Sequence, residues 1–523
     1  MWSKNNIERF AFILAPFLLI LSFYYSFISF FAFVPLLISL NSQKSSKVFL
    51  DVFLIISISF LTFFLFLYIG LLKGIYVYNH VPFFLAFSMY FGVCIYQLIY
   101  TIAPFYLIKK FNISFLLLPV FYIAFEYLRS IVLYGDPIGN VSMFVYNIPF
   151  FIKDATWFGS YFVGLKLLFV NVAIYYLYKN KIKHALIILG VIACLFFVVN
   201  LPAKNGSIKK SIALIQGNIS QSQKWDNAML MNNLNVYVNA TKKTNADLVV
   251  WPESAYPFLF KPKDFDNILG YYKTPIIFGA QTQRGSNYYN SAVFFNHKKY
   301  DYYDKHELVP FAEFIPLRKY LSFITTVTKF GSFTHGKRFT LFDVDGLKTA
   351  AIICYEEDFE NIARTFKNLG ARLLVVITND AWFSHTTTFH LFYRDDFYRA
   401  VENNIYVARC ANTGFSMIVS PQGKMITNLK PYTFGILKAD IVFDDKKITI
   451  FDKLLLLKRK RQPKAALLDT FCAQKVSRNL FCCVCCICCI GWCSCCVCCI
   501  CYISSVCSVS CVCCLFFLAR RKC

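Results

Sequence analysis

The chain of 523 residues is 57% hydrophobic and only 16% charged, whereas an ordinary soluble domain carries about 25% charged residues, so its composition excludes a purely soluble protein. The length suggests two or three domains, and the apolar excess lies mainly in about the first 200 residues and the last 50. The net charge of +25 does not indicate nucleic acid, because much of the lysine and arginine lies in short loops between apolar runs, where anionic lipid headgroups are the expected partner.

Residues 1–203 are predicted to form a transmembrane domain of about seven helices. The first apolar run, Phe10–Leu40, contains Pro16 and Pro35. As one helix it would reach about 46 Å, well beyond the roughly 30 Å of bilayer hydrocarbon, so we expect two short spans that turn near Ser22–Ser29. The other predicted spans are Val52–Leu72, Pro82–Ile108, Phe111–Leu133, Ala155–Tyr178 and Ala185–Leu201.

The basic residues between these spans predict the orientation of the domain. If Phe10–Leu40 holds two spans, all the basic clusters fall on one side, which the positive-inside rule makes cytoplasmic. The segment after Leu201 then lies outside the cytoplasm. The clusters are Lys4 with Arg9, Lys44 with Lys47, Lys109 with Lys110, and Lys179 with Lys181 and Lys183.

Three charged residues fall inside predicted spans. Glu126 and Arg129 are three residues apart, so they can pair on one helix face. Lys166 has no partner near it in the sequence. Charges within a bilayer are costly and mark either a function or a structural pair, and the sequence favours neither role over the other.

From Ser207 onward the pattern changes to short apolar runs that alternate with polar, periodic segments, which is typical of an α/β domain. We predict helices at Asp226–Ala240, Asn361–Leu369 and Leu391–Asn403. The predicted strands are Ser211–Gln216, Asp247–Trp251, Ile276–Ala280, Ser291–Asn296, Leu347–Ile353, Leu373–Thr378, Ile405–Ala408 and Phe415–Ser420.

Three polar residues follow predicted strands or a tyrosine-rich run: Glu253, Lys305 and Cys354. A thiol has a pKa of about 8.5 and is a weak nucleophile until it loses its proton. A nearby carboxylate can take that proton, and a nearby ammonium favours the thiolate and the oxyanion that forms later. Taken singly, Glu253 and Lys305 are compatible with a surface ion pair, and Cys354 is compatible with a thiol packed in the core. As a set, the three residues can transfer an acyl group.

The residues around these three carry a resemblance. The stretches Trp251-Pro252-Glu253, Lys305 to Pro316, and Ile353-Cys354-Tyr355-Glu356 resemble the three catalytic motifs of the nitrilase (carbon–nitrogen hydrolase) superfamily. Gln216–Gln221 followed by Trp225, together with the apolar spans that come first, is similar to one membrane branch, the apolipoprotein N-acyltransferases.

The resemblance implies an αββα sandwich over residues 208–445 that faces the periplasm from a multi-pass domain in a bacterial inner membrane. It implies that Glu253 is the general base, that Lys305 stabilises the oxyanion and that Cys354 is the nucleophile. It further implies supporting roles for four residues: Glu313, which would orient the site, and Trp225, Tyr355 and Glu356, which match positions that the family needs for activity.

The implied reaction moves an acyl chain from a membrane phospholipid, through a Cys354 thioester, to the α-amine of the diacylglyceryl-cysteine at the N-terminus of an apolipoprotein. This would be the last step of lipoprotein maturation. No metal or cofactor is expected, no nucleic acid is a partner, and we expect a monomer. Two alternatives remain: a membrane-tethered amidase of the nitrilase type that uses water as the acceptor, and an inactive membrane scaffold.

Residues 446–523 form a basic linker followed by a cysteine-rich apolar tail. Only Cys94, Cys194, Cys354 and Cys410 precede Cys472, although the chain has 22 cysteines. The run Phe481–Ala519 is apolar enough to be a last transmembrane helix. The same composition would also result from low-complexity or frame-shifted translation, and a third alternative is that the segment stores metal ions. We expect no catalytic role for this segment.

Overall fold

A computed structural model describes residues 4–42, 48–132, 135–198, 208–315 and 332–443 of the chain. Helices fill the part up to residue 198, and a mixed α/β domain fills the part from residue 208. The predicted tail 446–523 lies outside the described residues.

The N-terminal part is an assembly of helices whose bounds follow the apolar runs of the sequence. The run Phe10–Leu40 is divided by a break at Tyr25, as expected for a pair of short helices. The helices are α1 Lys4–Phe10, α2 Ala15–Tyr24, α3 Val34–Ser42, α4 Val48–Ile56, α5 Thr62–Leu67, α6 Ile69–Lys73, α7 Phe83–Lys110, α8 Leu118–Arg129, α9 Pro149–Ile152, α10 Ala155–Tyr178 and α11 Ile182–Val198.

Four of the described helices are long and apolar enough to cross a membrane: Ile7–Tyr24, Leu50–Leu67, Phe83–Lys110 and Ala155–Tyr178. Shorter apolar helices cover Ser26–Ser42, Ile69–Tyr78 and Ile182–Cys194. Within the predicted span Phe111–Leu133 the described α-helix is α8, whose 12 residues reach about 18 Å, preceded by the short 3-10 helix Phe115–Leu117. The number of seven spans therefore stays a prediction.

The three charged residues within the predicted spans are held by polar groups that lie 11 to 15 residues away in the sequence. Glu126 and Arg129 do not pair with each other in the described structure. Glu126 instead accepts from the Val141 backbone N–H at 2.8 Å, and Arg129 donates to Asn140 Oδ1 at 2.6 Å. Lys166 is not isolated either, because it forms a buried ion pair with Asp154, at the start of the same helix.

The C-terminal part contains two sheets. The first has the strand order β13-β1-β2-β4-β5-β6 with β3 paired to β4, and the second has the order β12-β11-β10-β9-β8-β7. The strands are β1 Ile208–Gln216, β2 Leu248–Val250, β3 Tyr256–Leu259, β4 Ile276–Arg284, β5 Asn287–Asn296, β6 Lys299–Asp304, β7 Phe342–Val344, β8 Leu347–Ile353, β9 Leu373–Thr378, β10 Tyr406–Ala411, β11 Met417–Val419, β12 Met425–Asn428 and β13 Gly435–Phe443.

The alternation of side chains along the first sheet explains how the layers stack. Ile212 and Leu214 of β1 belong to the apolar layer that joins this sheet to the second one. Ala213 and Ile215 point the other way, into a separate cluster under the helix Leu230–Lys242. The second sheet is covered on its outside by the helices Glu360–Leu369 and Arg394–Asn403, so the domain is an αββα sandwich as predicted.

The parallel strands of the two sheets end at a common edge. In the first sheet β1, β2 and β4 are parallel, and in the second β8, β9 and β10 are parallel. The loops after their carboxyl ends contact one another across the sheets: the Asn218 backbone N–H donates to the Asn412 carbonyl at 2.8 Å. Parallel strands place the residues that follow them at one edge, which is where α/β proteins bind ligands.

Two threonines of the α/β domain close a break in a membrane helix; we call Thr387 and Thr388 the threonine clasp. Between α5 and α6 the chain leaves helical geometry at Tyr68. The Thr387 hydroxyl donates to the Phe66 carbonyl, and the Thr388 hydroxyl donates to the Leu67 carbonyl at 2.7 Å. The Thr388 hydroxyl also accepts from the Gly70 backbone N–H at 2.9 Å, so the clasp satisfies groups that the break leaves open.

Gly70 is the residue that lets the clasp approach the helix. A Cβ atom at this position would lie 2.6 Å from Thr386 Oγ1 and 2.7 Å from Thr388 Cβ. Next to it, Lys73 Nζ donates to the Ser384 carbonyl at 2.7 Å. Hydrogen bonds thus fix the loop 384–388 to the helical part: Thr387 and Thr388 bond to the helix backbone, and Lys73 bonds to the loop backbone.

We expect Thr388→Val to destabilise the folded protein by about 1–3 kcal/mol, because it leaves the buried Leu67 carbonyl and Gly70 N–H without a partner. Thermal unfolding in detergent measures the change. Thr365→Val is the matched control, since the Thr365 hydroxyl bonds only within an exposed helix turn, and it should shift the free energy of unfolding by less than about 0.5 kcal/mol. Equal effects of both substitutions would contradict a specific role for the clasp.

Candidate active site

Glu253, Lys305 and Cys354 all lie at the common edge of the two sheets. Glu253 follows β2, Lys305 follows β6, and Cys354 follows β8 directly. Cys354 has a φ of +51°, as does Ser254 next to Glu253, and non-glycine residues adopt this left-handed conformation rarely, most often at functional sites. The sharp turn at Cys354 ends its strand and leaves the residue partly accessible at the edge.

The Glu253 carboxylate is held by two donors, one from strand β5 and one from the loop after strand β9. Its Oε1 accepts from Asn290 Nδ2 at 2.8 Å, and its Oε2 accepts from the Asn379 backbone N–H at 3.1 Å. Gly279 makes this placement possible, because a Cβ there would lie 2.5 Å from the Cα of Glu253. The carboxylate therefore has a fixed position, and both sheets supply its hydrogen bonds.

Lys305 lies between two carboxylates and is only 1% exposed. Its Nζ is 2.9 Å from Glu313 Oε2 and 3.8 Å from Glu253 Oε1. Burial disfavours the ammonium, but Glu313 and Glu253 outweigh that effect and raise the pKa of Lys305 above its ordinary value. Asn290 ties the group together, because its amide also donates to Glu313 Oε1 at 2.8 Å.

The surroundings of Cys354 disfavour its thiolate form. Burial and, to a smaller extent, the Glu253 carboxylate raise its pKa to about 12, against the opposing effect of Lys305. The thiolate is the reactive form of cysteine, so this thiol needs a base at the moment of attack. Glu253 and Lys305 are both within electrostatic reach of the sulfur, and the arrangement can therefore move a proton and stabilise a negative oxygen.

Glu356 connects the cysteine turn to the lysine turn. Its Oε2 accepts from the Ile353 backbone N–H at 2.8 Å. Its Oε1 accepts from the Tyr303 hydroxyl at 2.8 Å and from the His306 backbone N–H at 2.6 Å. Burial raises the pKa of Glu356 to about 7, against the effect of these donors. One carboxylate thus fixes the residues next to Cys354 and Lys305.

The other predicted supporting residues occupy different surroundings. The Tyr355 hydroxyl donates to the Gly135 carbonyl at 3.1 Å, so it joins the turn at Cys354 to a loop of the helical part. Trp225 is 46% exposed, and its indole N–H has no partner among the described residues. The structure brings Glu313, Tyr355 and Glu356 into contact with the site or its turn, and it leaves Trp225 at the surface nearby.

A group of buried acids lies behind the cysteine. Arg409 contacts Glu357, Asp396 and Asp380, and its distance to Asp380 Oδ2 is 3.1 Å. Burial raises the pKa of Asp380 to about 7. One guanidinium faces three carboxyl groups here, and burial disfavours the charged forms of Asp380 and Asp396.

Two residues of the site were missed by sequence reasoning. Asn290 lies within β5, where nothing in its neighbours distinguishes it from any polar strand residue. Lys224 is buried beside Glu253 and donates to its backbone carbonyl at 2.8 Å, although its polar neighbours in the sequence suggest a solvated surface. Its position immediately before Trp225, at the end of a stretch already singled out, was the available signal.

No group of three or more His, Cys, Asp or Glu side chains that could hold a metal ion occurs within the described ranges. Glu253 and Glu313 are instead paired with the ammonium of Lys305 and the amide of Asn290. The expectation that the reaction uses no metal or cofactor stays a prediction.

Two protein-family models match the chain. Residues 211–447 match the carbon-nitrogen hydrolase model, and residues 14–173 match the apolipoprotein N-acyltransferase N-terminal domain model. The chain is similar to the apolipoprotein N-acyltransferase of Geobacter metallireducens, with 29% identity over 75% of this chain and 80% of that protein. The enzyme of the same name from Borreliella burgdorferi is 25% identical over 82% of this chain and 87% of its own.

Among solved structures, an amidase from Nesterenkonia sp. aligns with 19% sequence identity and a TM-score of 0.36. The alignment covers 50% of this chain and 99% of the amidase.

We expect Glu356→Gln to slow alkylation of Cys354 by iodoacetamide and to lower thermal stability, because an amide cannot accept at both ends and leaves buried N–H groups unpaired, at a cost of about 1–3 kcal/mol. Mass spectrometry of the Cys354 peptide over time gives the rate. Asp345→Asn, which removes an exposed carboxylate of the same domain, should change neither quantity. An unaltered rate in Glu356→Gln would contradict the role of Glu356 in fixing the turn.

Proposed function

Because the chain belongs to the apolipoprotein N-acyltransferase family, we propose that it transfers an acyl chain from a membrane phospholipid to the N-terminal α-amine of diacylglyceryl-cysteine in apolipoproteins, through a thioester on Cys354. The observation that carries the roles of the residues is the meeting of Glu253, Lys305 and Cys354 at one sheet edge. This edge faces the helical part, since Tyr355 reaches the Gly135 carbonyl.

In the first half of the reaction the Cys354 thiol gives its proton to the Glu253 carboxylate, and the sulfur attacks the ester carbonyl carbon of the phospholipid. The carbonyl oxygen becomes an oxyanion, which the Lys305 ammonium stabilises. When the tetrahedral intermediate collapses, the C–O ester bond breaks and the leaving alkoxide takes the proton from Glu253. The products are a thioester on Cys354 and a lysophospholipid.

In the second half the neutral α-amine of the apolipoprotein attacks the thioester carbon. Glu253 takes a proton from the nitrogen as the C–N bond forms, and Lys305 again stabilises the oxyanion. The C–S bond breaks, the thiolate takes the proton back from Glu253, and an amide is released. Glu253 serves both halves because it accepts a proton and then returns it in each of them, acting first as a base and then as an acid.

The supporting residues keep this geometry fixed. Lys305 Nζ is 2.9 Å from Glu313 and 3.8 Å from Glu253, so Glu313 holds the ammonium next to the base. Glu356 fixes the backbone N–H of Ile353, just before the nucleophile, and that of His306, just after the ammonium residue. Fixed donors near a developing charge cost no reorganisation during the reaction, so these carboxylates contribute without touching substrate.

The helical part brings the site to its lipid substrates. Both acyl donor and acceptor are confined to a bilayer, and four helices of suitable length lie in the same chain. A membrane-tethered amidase that acts on a small soluble substrate would not need these helices. An inactive scaffold would not need the intact set of Glu253, Lys305 and Cys354.

The proposed orientation places the catalytic domain in the periplasm of a bacterial inner membrane. Helix α10 contacts this domain near its start, where the Thr156 hydroxyl donates to the Val401 carbonyl at 3.2 Å. The helix is kinked at Gly159. At its other end, about 30 Å beyond this kink, Lys179 Nζ is 3.0 Å from Glu8 Oε2. Basic residues at the end away from the catalytic domain support this orientation, because such residues stay cytoplasmic.

We expect the full-length protein, mixed in detergent with a phospholipid that carries a labelled acyl chain, to acquire a hydroxylamine-labile label on Cys354. Cys354→Ala should abolish the label, whereas Cys194→Ala, which removes an exposed thiol elsewhere, should retain it. Addition of a diacylglyceryl-cysteine peptide should move the label onto the peptide amine. No label in the wild type, or the same label in Cys354→Ala, would refute the proposed acyl transfer; loss to water alone would favour the amidase.

We expect a cysteine at position 424 to react with a membrane-impermeant maleimide in intact spheroplasts and a cysteine at position 110 to be protected. Lys424 is exposed on the catalytic domain and Lys110 is exposed at the other end of the helices. The measurement is the increase in labelling of Lys424→Cys and Lys110→Cys over the parent chain. The reverse pattern would contradict the periplasmic orientation.

A further inference from the structure

A second buried ammonium stands beside the general base. Lys224 ends the short helix Gln221–Lys224 and is 4% exposed. Its Nζ donates to the backbone carbonyl of Glu253 at 2.8 Å. That carbonyl is its one acceptor among the described residues, and it forms no direct ion pair with a described carboxylate. In the same short helix, the buried Gln221 Nε2 has no hydrogen-bond partner among the described residues.

A buried ammonium without an ion pair is costly unless negative charge lies close to it. Burial lowers the pKa of Lys224 to about 8, and the negative charges of Glu253 and Cys354 act in the opposite direction. The groups that stabilise the charged Lys224 are therefore the two groups that exchange a proton during the proposed reaction.

The charges of the site explain why a second ammonium is needed. Glu253 and Glu313 are two carboxylates that share the single ammonium of Lys305, which leaves one negative charge uncompensated. Lys224 supplies the missing positive charge. When the proton passes from the Cys354 sulfur to Glu253, the negative charge moves to the sulfur, and the total stays constant.

Other charged groups near Glu253 do not replace Lys224. Asp380 also interacts with Glu253, but its own partner is Arg409, 3.1 Å away. Arg409 further contacts Glu357 and Asp396, so its charge is already shared by three acids. Among the described residues, Lys305 and Lys224 are thus the cations whose charge is available to Glu253.

We propose that Lys224 is a positioning residue of the acyl-transfer site, whose buried ammonium compensates the negative charge of the Glu253 carboxylate and so sets the lowest pH at which Cys354 can be acylated. This inference rests on the proposed role of Glu253 as the base. Lys224 acts through Glu253 and contacts neither the nucleophile nor, by this argument, the substrate.

The test is the pH dependence of Cys354 acylation in a single turnover, measured with the full-length protein in detergent and a phospholipid with a labelled acyl chain. A carboxylate that loses a neighbouring cation takes up a proton more readily, so the acid limb of the profile should move to higher pH by about one unit in Lys224→Met. Lys224→Arg, which keeps the charge, should restore the limb. Lys243→Met removes an exposed charge of the same domain and should leave the profile unchanged.

A rate in Lys224→Met that falls equally at every pH, or an acid limb that stays in place, would show that Lys224 only fills space and would overturn the proposal. If Lys224→Met does not fold, Lys224→Gln gives the same comparison, since an amide keeps a donor for the Glu253 carbonyl but carries no charge. Failure of the wild type to take up any acyl group would refute the proposed function itself, a result that is distinct from a normal wild-type profile with an unmoved limb.

Discussion

The ion pairs of Lys305 with Glu313 and Glu253 are the interaction on which the site depends. Charged groups enter a protein interior only when they are paired and hydrogen-bonded. Lys305 and Glu253 are buried at the edge where the two sheets meet, and Glu313 is half-buried beside them. Each sheet contributes part of their environment: Asn290 comes from the first, and the Asn379 backbone comes from the loop after β9 in the second. The sandwich therefore does more than support these side chains, because neither sheet alone would supply both hydrogen bonds to the Glu253 carboxylate.

The parts of the fold that could be predicted are those in which local pattern and final environment agree. The strands Leu347–Ile353 and Leu373–Thr378 were predicted with their observed bounds, because strands buried on both faces read as continuous apolar runs. The strand ends and motifs likewise led to Glu253, Lys305 and Cys354, which the structure brings to one edge. Their catalytic roles remain the proposal made above.

The features that were missed depend on partners far away in the chain. Apolar residues up to Leu133 suggested a full span, yet the helix ends at Arg129, whose side chain turns to Asn140. Lys166 seemed isolated until the chain placed Asp154 beside it. Lys224 looked like a surface residue because its neighbours are polar, and only the docking of its short helix against Glu253 buries it. Hydrophobic periodicity reports which face of an element is buried, and it does not report which polar groups meet there.

The threonine clasp also links the final structure of the helical part to the later synthesis of the α/β domain. Phe66 and Leu67 are each 321 residues ahead of the threonine that binds their carbonyl groups. A ribosome that adds about 5–20 residues per second needs roughly 15–60 s to cover that distance. During this interval the broken helix is already in the membrane while its partners have not been made. Insertion of the helices and folding of the catalytic domain are therefore successive stages of biogenesis, and the membrane part reaches its final hydrogen bonding only when the second stage is complete.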